Sequence, residues 1–174
     1  MKTLLSWLGL DTASTPEDAP LRDLVTALDR LEPERARHLA RFAYLIGRVA
    51  HADRHVSDEE TRTMEALVAA EGSLSTDQAM LVVSLAKTSN LMFGGTADFV
   101  VAQEFADAAS YDEKLALARC LFAIASTDAS ISLAEEAEIH RIANQLKILP
   151  HDLTALRVEH RDLLPGLSSK KSSS

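Results

Sequence analysis

Oxygen-bearing side chains gather in two short stretches of this chain. One reads Asp53-Arg54-His55-Val56-Ser57-Asp58-Glu59-Glu60, the other Asp128-Ala129-Ser130-Ile131-Ser132-Leu133-Ala134-Glu135. Both follow the pattern Asp-x-x-[Val/Ile]-Ser-x-x-Glu, and they lie 128 − 53 = 75 residues apart. Carboxylates and hydroxyls are hard donors, the kind that calcium and magnesium take. The second stretch offers Asp128, Ser130, Ser132 and Glu135; the first offers Asp53, Ser57, Asp58, Glu59 and Glu60, with His51 and His55 beside them. Neither matches the twelve-residue calcium loop, because the central glycine and the alternating acids are absent. The same residues also suit a capping box. Each serine hydroxyl can accept the third helical N–H, and the glutamate three residues on can reach back to the serine N–H. The ion-binding and capping readings both stand at this stage, and neither excludes the other.

Other reactive side chains have less support from their neighbours. His51 and His55 are four apart and could coordinate zinc on a continuous helix face, but Asp53 lies between them at the expected helix exit and the His-Glu-x-x-His pattern of a zinc protease is missing, so solvated histidines are expected there. His38, His140, His151 and His160 are scattered and expected to be exposed. Cys120, the sole cysteine, lies among Leu117, Ala118, Leu121 and Phe122, a setting that raises a thiol pKa and dulls the nucleophile. It permits no internal disulfide and no Cys-rich zinc site. No Gly-x-Ser-x-Gly elbow and no glycine-rich phosphate loop occurs, so the chain is expected not to be an enzyme.

The elements that would position the two stretches are helices. Leu21, Leu24, Val25 and Leu28 have helical spacing. Pro33 suits the first turn of the next helix, along which Leu39, Phe42, Ala43, Ile46, Val49 and Ala50 form one apolar face as far as about Ala52. A helix after Ser57 turns Met64, Leu67 and Val68 inward, with Gly72 placed for a left-handed C-cap. Ser75 and Gln78 form a further capping-box pattern for a helix over 76–87. A loop over 90–96 then joins two repeats. Residues 98–108 read as a helix with Phe99, Ala102, Phe105 and Ala106 inward. Ser110 and Glu113 are a third such pair, opening a segment from Leu115 to Ala125 that carries only one charge, Arg119, and so should be central. Ile139, Ile142, Ala143 and Leu146 line another helix, and Pro150 starts a shorter one bearing Leu153 and Leu156. The 75-residue offset continues outside the motif, pairing Ala43 with Ala118, Ile46 with Leu121, Val49 with Ile124, Met64 with Ile139, Leu67 with Ile142 and Leu74 with Leu149. All these are expected to face the core.

At 174 residues, 47% of them apolar, the chain can bury one sizeable core. Its net charge of −8 disfavours nucleic acid and favours cations or a basic protein partner. No apolar run is long enough to span a membrane. Residues 1–10 lack the long apolar stretch and cleavage site of a signal peptide. Their stripe of Leu4, Leu5, Trp7 and Leu8 could dock on the domain, a partner or a membrane surface.

Residues 40–70 and 115–160 resemble the tellurite-resistance TerB family, whose mark is a twice-occurring Ala-Asp-Gly-x-[Ile/Val]-x-x-x-Glu at a helix–helix junction. The flanks Tyr44-Leu45-Ile46-Gly47-Arg48-Val49 and Leu121-Phe122-Ala123-Ile124-Ala125 are similar to it as well, as is Ser110-Tyr111-Asp112-Glu113-Lys114-Leu115. The motif glycine is replaced by Arg54 in one copy and Ala129 in the other. The resemblance implies an all-α, single-domain bundle, here of seven to eight helices with two pseudo-symmetric helical-hairpin repeats. Residues 1–20 would be an amphipathic segment and linker, 21–164 the TerB-like domain, and 165–174 a disordered tail. It also implies a non-catalytic protein of tellurite, chemical or phage stress. Such a protein would meet protein partners at the inner face of the membrane and be cytoplasmic, or peripheral there. Its divalent cation, calcium or magnesium, would be held by Asp53 and Glu60 and by Asp128 and Glu135, joined by Ser130 from the loop chemistry above. Two alternatives are a metal-assisted enzyme acting on an oxyanion and a metal-free adaptor that uses an apolar groove.

Overall fold

The computed structural model describes residue 23 and residues 26–50, 57–89, 96–128 and 130–160. Seven α-helices and one 3₁₀ turn account for nearly all of them, and no strand occurs among the described residues. They are α1 (Pro33–Ala50), α2 (Asp58–Gly72), α3 (Thr76–Ser89), α4 (Thr96–Ala108), α5 (Tyr111–Ala125), the 3₁₀ turn Ser126–Asp128, α6 (Leu133–Gln145) and α7 (Pro150–Glu159). A helical turn over 26–29 precedes α1 and puts Leu28 in the core. This is the all-α bundle expected from the periodicity. The N-terminal stripe, the loop over 90–95, the motif residues 51–56 and the tail lie outside the described residues.

The duplication is visible in the packing. α2 lies against α5 of the other half, and α6 lies against α1; α1 and α5 pack on each other between them. Likewise α1 packs on α3 as α5 packs on α7. The halves therefore exchange helices across a pseudo-twofold axis, rather than stacking as two closed hairpins. α5 is as enclosed as its counterpart α1, with Leu117, Cys120, Leu121 and Phe122 at most 1% exposed. A helix apolar on most sides needs neighbours on most sides, and α1, α2, α6 and α7 supply them.

The offset is 75 up to α6 and 74 after it, because α6 reaches its left-handed C-terminal residue one position earlier than α2. Ser73 (φ 55°) ends α2 and Lys147 (φ 59°) ends α6. At α6 the N–H of Ile148 bonds to the carbonyl of Ala143 and that of Lys147 to Asn144, the two bonds of a Schellman motif. The inward partner of Leu74 is thus Ile148, 6% exposed, and Leu149 is 48% exposed, contrary to its expected core position.

Three further expectations are corrected by packing. Gly72 is not the left-handed residue but the last one of α2, and it is buried where three helices meet. A Cβ there would stand 3.1 Å from Phe42 Cζ of α1 and 3.3 Å from Cys120 Sγ of α5. Phe99 is 59% exposed, and Val101 turns inward with Ala102, Phe105 and Ala106. The rotation of α4 is fixed by Asp98, whose side chain and carbonyl both face α1. Ser75 caps α3 by accepting the Gln78 N–H, but the Gln78 side chain accepts from Arg35 of α1 instead of closing the box.

The two α1–α3-type contacts differ instructively. Gly47 of α1 lies against Ala86 of α3 so closely that a Cβ would sit 3.3 Å from the Ala86 carbonyl oxygen. At the matching place in the second half, Phe122 stacks on His160 with ring centroids 5.5 Å apart. Small-on-small in one half answers large-on-large in the other.

Candidate functional site

The second corner is built by local hydrogen bonding. At the end of α5 the Ser126 N–H reaches the carbonyls of Phe122, Ala123 and Ile124, and side chains add to this cap: Ser126 Oγ donates to the Phe122 carbonyl at 2.6 Å and Thr127 Oγ1 to that of Ile124 at 2.8 Å. This winds the chain into the 3₁₀ turn that Asp128 closes. Ile131 then plugs into the core at 1% exposure, as its place before the cap residue suggests. Ser132 takes an extended conformation (φ −71°, ψ 159°) and caps α6. Its Oγ accepts the Glu135 N–H at 3.1 Å, and its own N–H donates to Glu135 Oε2 at 2.7 Å. Glu135 is 7% exposed, the least exposed acidic residue among those described. The carboxylate lies at the N-terminal end of α6, where it accepts the Ser132 N–H.

The first corner repeats the device in a wetter setting. Ser57 caps α2, its Oγ accepting from the Glu60 N–H at 3.2 Å and its N–H donating to Glu60 Oε2 at 2.5 Å. The Ser57 backbone and hydroxyl bonds hold the Glu60 carboxyl below its ordinary pKa. A basic side chain attends each corner from the last helix of its half. Lys87 Nζ donates to Thr61 Oγ1 at 2.7 Å, and Arg157 Nε to Glu136 Oε1 at 2.5 Å. Thr61 and Glu136 are again 75 residues apart.

The structure thus brings Glu135 and Glu60 to matching corners. Ser130 is exposed two residues before the second cap. Asp53 and the side chain of Asp128 lie outside the described residues, as do His51 and His55. Among the described residues no three His, Cys, Asp or Glu side chains converge as a ligand set. What the second corner does supply is oxygen only. Glu135 has one N–H on Oε2, and a carboxylate has about four acceptor sites, so capping leaves it able to bind a cation as well.

No described cluster has the form of a catalytic centre. An open depression of about 420 Å³ between α1 and α4 is lined by Glu34, Arg37, Arg41, Glu104, Asp107 and Ala108. Its arginines are already engaged, Arg41 with Glu104 at 3.2 Å and Arg37 with Glu34. Burial pushes the Cys120 thiol up to about 12, with Glu71 adding to the shift, which leaves it an inert core group.

A polar network missed by the sequence reading crosses the bundle from α1. Arg48, its side chain 8% exposed, reaches Glu138 of α6 through Nη2 at 2.6 Å and Nε at 2.7 Å. Its Nη1 donates to Gln145 Oε1 at 2.9 Å and approaches the Asp98 carbonyl at 3.5 Å. One turn earlier, the Tyr44 hydroxyl donates to the Asp98 carboxylate; burial, then this bond, raise the phenol pKa. The available signal was the polar spacing Arg41, Tyr44, Arg48 inside an otherwise apolar helix, which marks one stripe.

Against family models, residues 38–158 match Tellurite resistance protein TerB. The chain belongs to the TerB family. The matched span runs from early α1 to the end of α7 and so takes in both corners of this TerB domain. No curated protein and no solved structure matches it. Among the described residues of the TerB domain, no helix is long and apolar enough to cross a membrane.

Proposed function

We propose that this TerB-family domain is a non-catalytic interaction module of the response to tellurite and related chemical or phage stress, with a calcium or magnesium ion held at its second corner. The observation that carries the reading is the Glu135 carboxylate, buried at the start of α6 and drawn back to the corner by the Ser132 N–H. Asp128, Ser130 and Glu135 would hold the ion there. Asp53 and Glu60 are the equivalent set at the first corner, where Arg54 and Lys87 add positive charge. A bound ion would join the turn after α5 to the start of α6 and fix the surface around it. Leu133, 73% exposed beside the Ser132 cap, would give a protein partner an apolar contact at that place. The net charge of −8 suits a basic partner, and the family resemblance supports a reading in which such partners would be met at the inner face of the membrane, with the domain cytoplasmic or peripheral there.

The metal-free adaptor keeps support of its own, from Phe99 and Val100, adjacent on α4 and 59% and 47% exposed. The oxyanion enzyme does not: the two side chains whose pKa values rise farthest, Tyr44 and Cys120, are a donor already bonded to Asp98 and a sealed core thiol.

Calcium and magnesium titrations followed by amide NMR separate these readings. Shifts confined to 126–136 and saturating in the millimolar range are expected. Glu135→Gln keeps an acceptor for the Ser132 N–H, since glutamine serves in a capping box, but removes the charge. It should weaken the ion about tenfold or more, roughly 1.4 kcal/mol, with little change in melting. Spectra unmoved by millimolar metal would end the ion-binding reading and leave the adaptor.

A further inference from the structure

Histidine 38 was expected at the surface. Its side chain is instead 15% exposed, one corner of a triangle of rings with Phe42 on its own helix and Phe105 of α4, at centroid distances of 6.0 and 5.2 Å. Its Nε2 stands 4.0 Å from Oε1 of Glu113, in the first turn of α5. The other oxygen of the same carboxylate, Oε2, accepts the Ser110 N–H at 2.8 Å and so closes the cap of α5. His38 and Glu113 are 113 − 38 = 75 residues apart, the offset that relates the two halves. Each faces its own counterpart, which places the pair on the pseudo-twofold axis between α1 and α5.

We propose that His38 is a proton-responsive joint at the meeting of α1, α4 and α5, working through the cap carboxylate of Glu113. In the neutral state the imidazole fills an aromatic socket and Glu113 serves Ser110. A proton on the ring makes it a cation 4.0 Å from a carboxylate oxygen. A charge-assisted hydrogen bond needs about 2.8 Å, so the carboxylate must move by about 1 Å. That movement draws Glu113 off the Ser110 N–H and loosens the link between α4 and α5.

The charged groups around the ring set the pH at which this happens. On α1 they are Arg35 and Arg41, and both oppose a further cation. Arg41 is engaged by Glu104 of α4 and Arg35 by Gln78 of α3. From α5 Glu113 favours protonation. The two phenyl faces lie within the roughly 6 Å at which a ring attracts a cation. Burial outweighs these attractions, and the His38 pKa lies below its usual 6.5. The joint is therefore closed at neutral pH and opens on acidification. Because the pair lies on the axis, its opening changes the packing of one half against the other.

The test is an NMR titration of the full chain, following the His38 ring and the Ser110 and Glu113 amides together. A shared midpoint below 6.5 is expected for the ring and the Ser110 amide, with faster hydrogen exchange at 109–113 on the acid side. His38→Phe keeps the socket filled and should abolish the Ser110 step at that midpoint. Glu113→Gln keeps the cap but not the charge, and should move the His38 midpoint lower while removing the Ser110 response to it. If His38→Phe does not fold, Glu113→Gln decides the matter alone. A His38 midpoint at or above 6.5, or a Ser110 amide indifferent to the ring's titration, overturns the proposal.

Discussion

Replacing Arg48 by methionine removes the cation from the most buried ion pair described in this fold and leaves Glu138, 15% exposed, facing a hydrocarbon. Breaking a buried pair by deleting one partner costs about 3–5 kcal/mol, because the surviving charge stays desolvated. Here the lower end applies. Glu138 keeps Arg141 as a second partner, though one that is 63% exposed and screened. Gln145 also loses a 2.9 Å donor, while the 3.5 Å approach to the Asp98 carbonyl is too long to add much. About 3 kcal/mol is therefore expected, which for a domain of this size lowers the melting temperature by about 10 °C. Glu138→Leu alone should cost a comparable amount, since Arg48 would then be the unpaired ion. The double variant Arg48→Met, Glu138→Leu replaces a buried pair by apolar side chains of similar volume, and should recover to within about 1 kcal/mol of the parent. Urea unfolding of the four proteins gives the cycle, with a coupling of about 2 kcal/mol or more expected between these two residues. Single variants within 1 kcal/mol of the parent, or costs that simply add, would refute the argument that this pair is desolvated and coupled.

Other outcomes follow from single positions. Lys147 holds φ 59° at the end of α6, where a side chain is strained, so Lys147→Gly should raise stability by about 1 kcal/mol in a denaturant titration. Cys120, with its thiol pushed up to about 12 by burial, should resist thiol reagents in the native protein and react only as fast as the domain opens, which timed labelling with and without urea will show. The lowered His38 pKa makes the native state bind fewer protons than the unfolded one just below pH 6.5. Its contribution is therefore complete above that pH and is lost as pH falls through the native value. His38→Phe should flatten this part of a stability–pH curve. Glu113 has the same sign lower down: burial pushes its carboxyl up, but the Ser110 bonds and His38 together with Arg35 outweigh it and bring the pKa below 4.5.

What the sequence made legible were features written within a few residues of one another. Ser57 with Glu60, Ser110 with Glu113 and Ser132 with Glu135 each close a box between positions three apart, and all three form. The doubling of the corner was equally plain, because both copies kept the serine, the glutamate and the β-branched plug. The illegible parts depend on helices distant in sequence. Gln78 looked like a cap partner until Arg35, 43 residues away, claimed its amide. His38 looked solvated because nothing nearby in the chain announces Phe105 or Glu113. Gly72 offered a left-handed turn by composition, yet the need for it comes from Phe42 and Cys120. Leu149 failed as a core residue because α6 reaches its left-handed residue one position earlier than α2 does, a slip that no pairing made within the first half could reveal. At the candidate ion site Glu60, Ser130 and Glu135 were picked out as candidate donors by type and spacing. The burial of Glu135 and the wetness of Glu60 were not, since these depend on how the two halves close.

The exchange of helices between the halves carries a consequence for how the chain could be divided. A piece ending after α3 would keep α1 without the α6 that covers it, and a piece beginning at α4 would keep α5 without α2. Neither fragment is a smaller protein; each is a lock missing its key. Mixed, they should knit back together, and either one kept apart would be driven to use a twin of itself as the substitute.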